Sequence, residues 1–130
     1  MSTAAAPAQT QRVRFMEHRG TRILFIDFSE LQAAEDILRE MDVAREIIRA
    51  QPPGSVRVLT DVTRARYTPP VMDAMKEFTA GNKPYVRHSA VAGMERVHRV
   101  LYRAVLLFSR RSIEIFETLD EARDWLAKQP

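Results

Sequence analysis

Cysteine is absent from the 130 residues, which excludes disulfides and thiolate chemistry and fits a reducing cytoplasm. Glycine is scarce at four, with no cluster of the kind that cradles a phosphate. No apolar run approaches the ~20 residues needed to span a bilayer; the longest reach is Ala104 to Phe108. The three histidines, His18, His88 and His98, stand apart, and without cysteine no metal site and no cofactor are expected. No nucleophile–base pair is visible either, so the chain reads as non-enzymatic. The opening MSTAAAPAQTQ has neither a basic start nor an apolar core, so it is not a secretory signal; residues 1–11 read as a disordered tail and 12–130 as one domain.

What is present is ordinary globular composition, 45% hydrophobic and 28% charged, in a chain long enough for a full core. The net charge of +3 is unevenly spread. Residues 30–50 hold six acids against three arginines, whereas Lys83 to Arg111 holds seven Lys or Arg against Glu95 alone. Arginine makes up 17 of the 20 basic residues, which favours bidentate or stacked contacts over diffuse point charge.

Two extended stretches open the domain: Val13 to Glu17, then Thr21 with the continuous run Ile23-Leu24-Phe25-Ile26, joined at Arg19-Gly20 as a hairpin. Ser29-Glu-Leu-Gln32 has the form of a capping box ahead of a helix, and Leu31, Ala34, Ile37, Leu38, Met41, Ala44 and Ile48 recur at helical spacing. Pro52-Pro53-Gly54 ends that helix. Val56 to Thr60 reads as the central strand. A loop then leads to a helix with Thr68 as N-cap, Pro69 at its first position and Gly81 at its end. Tyr85 to Ala92 is the next strand, Met94 to Ser109 the next helix, and Ser112 to Phe116 the last strand. Thr118-Leu-Asp-Glu121 is a second capping box before the closing helix. The order ββαβαβαβα predicts an α/β fold: a largely parallel five-stranded sheet, an antiparallel N-terminal edge strand and four helices.

Three segments resemble the SpoIIAA-like branch of the STAS (anti-sigma-factor antagonist) fold: Leu59-Thr60-Asp61-Val62, Ala90-Val91-Ala92-Gly93, and the ending Phe116 to Leu126. The resemblance covers roughly residues 12 to 129 and implies a STAS-like single domain, a cytoplasmic regulatory module that binds a protein partner or forms a homodimer. Signalling members of that family carry a phosphorylated hydroxyl in Asp-Ser-Ser-Gly at the start of the helix after the central strand. Here the matching stretch is Arg66-Tyr67-Thr68-Pro69, of which only the Thr68 hydroxyl is kept, so phosphate at Thr68 is not expected. A related fold, the CRAL-TRIO domain, holds lipids, so a small amphipathic or lipid-like anionic ligand is the alternative.

Two groups of candidate site residues follow. Strand C-terminal ends are where parallel sheets place ligands, and there Asp27, Asp61, Thr63, Arg64, Arg66, Tyr67, Thr68, Gly93 and Met94 border an expected pocket. On the helix after Gly93, Val97, Val100, Leu101, Ala104, Val105 and Phe108 form the expected core face. Arg96, Arg99, Arg103 and Arg110 lie away from it with Leu106 among them, an expected interaction surface. Nucleic acid is disfavoured by the modest charge and the lack of a stacking platform.

Overall fold

The computed structural model describes residues 8–130, the side chain of Leu101 aside. Its elements are β1 (Val13–His18), β2 (Thr21–Asp27), α1 (Ala34–Arg49), β3 (Val56–Asp61), α2 (Pro69–Asn82), β4 (Val86–Ala92), α3 (Arg96–Ser109), β5 (Glu114–Phe116) and α4 (Leu119–Lys128). The sheet runs β1-β2-β3-β4-β5 in chain order, with β1 antiparallel to β2 and the other pairs parallel. The anticipated α/β architecture is therefore the one observed.

Period-2 alternation sends the strand residues to two unequal cores. Leu24 and Ile26 of β2, Val56 and Val58 of β3 and Val91 of β4 face α1, α2 and α3 in the larger one. Ile23, Leu59, Ala90 and Ala92 face the other way, where α4 lays Ala122 and Leu126 on them. The small β4 side chains leave room there for Trp125, which meets Phe116 at 5.7 Å and His88 at 5.9 Å between ring centroids. On the larger side α1 buries Ile37, Met41, Ala44, Ile47 and Ile48, with Ala34 and Leu38 half-buried beside them. Full burial of each large member stabilises the fold by about 1.5–3 kcal/mol.

Local chemistry overrides four of the sequence expectations. The Ser29–Gln32 box does not form. Ser29 gives both its N–H and its hydroxyl to Asp27, Glu30 takes a left-handed φ of 64°, and α1 begins only at Ala34 with no side-chain cap. Gln32 instead donates to the carbonyl of Arg64 at 2.7 Å. Thr68 is the N-cap of α2, but its side chain makes no cap bond; Pro70 removes one of the two N–H groups, at residues 70 and 71, that a cap accepts from. Gly81 does not end α2; it lies inside the helix where a Cβ would collide with the guanidinium of Arg49, which bonds Asn82 instead. Helix α3 starts at Arg96 rather than Met94. Of the second box the Thr118 half forms as expected: Glu121 donates its N–H to Thr118 at 3.2 Å, while the Glu121 carboxylate accepts the Thr118 hydroxyl at 3.0 Å rather than its backbone N–H.

Of the expected tail, residues 1–7 lie outside the described residues. Gln9 and Thr10 bind the body, Gln9 accepting from the Phe15 N–H at 2.8 Å and Thr10 donating to Glu40 at 3.1 Å.

Candidate functional site

Beta strands β2 and β3 deliver Asp27 and Asp61 side by side, paired in the parallel register, and each is followed by the same local motif. Asp61 accepts the Thr63 N–H at 3.0 Å and its hydroxyl at 2.6 Å, as Asp27 does from Ser29. Both carboxylates thus tie down the loops that leave the sheet. Arg12 stands 3.6 Å from Asp27 as a further partner. Gly93 completes this edge. Its φ of +83° and the closeness of Thr63 leave no space for a side chain, so the turn after β4 closes directly on the turn after β3.

The remaining residues of the expected pocket diverge. Arg64 has a left-handed φ of 54° and its side chain is ion-paired with Glu30, which holds the guanidinium pKa above its ordinary value. Arg66 is exposed, its N–H bonded to the Leu31 carbonyl. Met94 is 6% exposed and belongs to the main core. Tyr67 turns inward against His98, ring centroids 4.8 Å apart, and desolvation pushes its phenol pKa far up. Among the described residues, neither its hydroxyl nor that of Thr68 has a hydrogen-bond partner, although both are buried.

Tyr67 lies where α3 meets the rest of the fold, and α3 is seated differently from the sequence expectation. Its inward residues are Tyr102, Val105 and Ser109, with His98, Arg99 and Leu106 half-buried. Val97, Val100, Leu107 and Phe108 are 66%, 69%, 81% and 56% exposed, so the face with most of the apolar residues looks outward. At 100° per residue the helix is turned by roughly 130° from the orientation its periodicity predicts. The floor beneath it gives a reason. β5 has only three residues, and α3 leans on α2 rather than lying across a broad sheet.

That rotation rearranges the expected interaction surface. Arg96 and Arg103 are exposed beside the apolar stripe, whereas Leu106 packs against the main core instead of standing in solvent. Arg99 is half-buried and its Nε has no partner among the described residues. Arg110 caps the C-terminus of α3 in a left-handed conformation, φ 54°. Residues that periodicity assigned to the core, Val97, Val100 and Phe108, are on the surface, and Leu107, which carried no assignment, is the most exposed of them.

No cluster of three or more carboxylate or imidazole groups that would hold a metal occurs among the described residues. No helix among them is long and apolar enough to cross a membrane.

The five-stranded sheet with one antiparallel edge, three helices on one face and a closing helix on the other defines an α/β domain of the STAS type. The chain belongs to the SpoIIAA-like family, whose model matches residues 14–127. No curated protein and no solved structure matches it at a significant level.

Proposed function

We propose that this domain is a non-enzymatic regulatory module that binds a protein partner through the outward face of α3. One observation carries the reading: Val97, Val100, Leu107 and Phe108 form an exposed apolar stripe on a single helix. Scattered surface apolar residues are ordinary, but a contiguous patch rimmed by charge marks a contact surface. Arg96 and Arg103 supply that rim, with no acid in the helix. The fitting partner therefore offers an apolar ridge edged by carboxylates. A second copy meets the requirement poorly. The exposed residues of α1 include Glu35, Asp42 and Glu46 but no apolar side chain, and α3 against α3 would set arginine against arginine.

The test is photo-crosslinking in cells, with a photoreactive residue at Leu107 and, as control, at Glu46 on α1. A discrete protein adduct from position 107 and none from position 46 is the expected result. Lipid adducts alone would assign the face to a membrane surface, and no adduct at either position would remove the reading.

A further inference from the structure

At the end of the sheet opposite the expected pocket, an open groove of about 280 Å³ runs between the start of β4 and the C-terminus of α3. Lys83, Arg87, Arg110 and Arg111 line it together with His88 and Ser112, and no carboxylate does. Part of this is routine: Lys83 and Arg110 are the C-caps of α2 and α3, where cations offset the exposed carbonyls. Arg87 and His88 both turn to the main-chain oxygen of Pro130 at the end of the chain. Arg111 also meets a helix end, since Thr79 lies in the last turn of α2, but of the four cations it alone is half-buried.

Arg111 reaches inward, donating to the carbonyl of Thr79 at 2.9 Å and to the hydroxyl of Ser89. Both acceptors are neutral, and no carboxylate pairs with Arg111 among the described residues. Its burial pushes the guanidinium pKa below the ordinary value. A desolvated charge without a counter-charge is costly, and an arriving anion relieves that cost. Behind it lies a cavity of only about 30 Å³, lined by Phe78, Tyr102 and Ile113, which has room for a water and not for a ligand. The space for an anion is on the outer side, where Lys83, Arg110 and Arg111 line the same groove.

We propose that this groove is a binding site for a phosphate-bearing anion, held by Arg111, Arg110 and Lys83. Guanidinium groups match the oxygen spacing of a phosphate, and a lysine adds a mobile point charge. The phosphate belongs either to a free molecule or to a lipid headgroup, and both offer the same chemistry. The site is distinct from the α3 stripe, so failure of one leaves the other standing.

The experiment uses the full chain and two probes: inorganic phosphate, followed by amide chemical shifts, and phosphatidylcholine vesicles with and without phosphatidic acid, followed by co-sedimentation. Saturable shifts at Lys83, Ser89 and Arg110–Ser112 are expected, weakened on the order of tenfold or more in Lys83→Ala/Arg110→Ala. Both substitutions lie on exposed helix ends, so the variant should fold; near-native thermal unfolding checks this. Binding of phosphate assigns a free molecule. Binding only of phosphatidic acid vesicles, lost in the variant, assigns a headgroup. No saturable response to either probe, or equal binding by a folded variant, would overturn the proposal.

Discussion

Helices α1 and α3 cross over on the same face of one sheet, and both are amphipathic, yet they use that property in opposite ways. Helix α1 turns Ile37, Met41, Ala44, Ile47 and Ile48 onto the strands and leaves its charges in water. Helix α3 turns Val97, Val100, Leu107 and Phe108 into water and covers Tyr102, Ser109 and part of Arg99. Amphipathicity records that a face needs a partner. It does not record whether the partner is inside the chain. In α1 the partner is the main core, which it shares with the strands and α2; in α3 the helix leans on α2 and its apolar face stays exposed.

The widest gap between the two helices should appear in truncations. Met41→Ala removes a fully buried side chain and should lower unfolding free energy by about 2–5 kcal/mol in urea denaturation. A loss under about 1 kcal/mol would mean that α1 is no better seated than α3.

Next in size is the alkaline limb of stability, which reports the polar interior beneath α3. Burial pushes the Tyr102 phenol up to about 12. Its folded-state pKa is thus above the unfolded value, so its contribution is intact below about pH 10 and is lost as pH rises towards 12. The stake is on the order of 2 kcal/mol. Absorbance of tyrosinate should show Tyr102 and Tyr67 ionising only together with unfolding. Simple reversible titration of both near pH 10 would place α3 loosely over open solvent.

Tyr67→Phe should then stabilise the protein by about 1 kcal/mol, since it deletes a buried hydroxyl that has no partner. Destabilisation of that size would show that the hydroxyl is satisfied by water. The smallest effect belongs to the stripe itself. Val100→Ala should change stability by no more than about 0.5 kcal/mol, as surface changes do.

Sequence reasoning reached as far as local patterns have one physical solution. The run Ile23 to Ile26 has to be buried on both sides, and Thr118 with Glu121 has no rival partner, so strand and cap both formed as read. The family resemblance, carried by the segments at Leu59, Ala90 and Phe116, pointed to the SpoIIAA-like match over residues 14–127. Where two partners compete, the pattern was silent. Asp27 outcompetes the helix for Ser29, and Pro70 leaves Thr68 one donor fewer. The candidate site was legible in part: Asp27, Asp61, Thr63 and Gly93 do converge on one edge, while Arg64 and Met94 are drawn off by Glu30 and by the core. The rotation of α3 depended on a floor only three strand residues wide, which periodicity does not encode. Arg111 did leave a signal, because it ends the stretch from Lys83 in which Glu95 is the lone acid.

The seating of α3 can be read directly, since the chain has no cysteine of its own to interfere. Val100→Cys and Leu106→Cys, made separately, place single thiols on the two sides that the helical pattern and the fold assign in opposite ways. Their reaction rates with an aromatic disulfide at pH 8 then report exposure. Val100→Cys should react at the rate of a free thiol and Leu106→Cys at least severalfold more slowly. The reverse order would put the apolar face of α3 back against the core and leave the domain without the surface on which its proposed function rests.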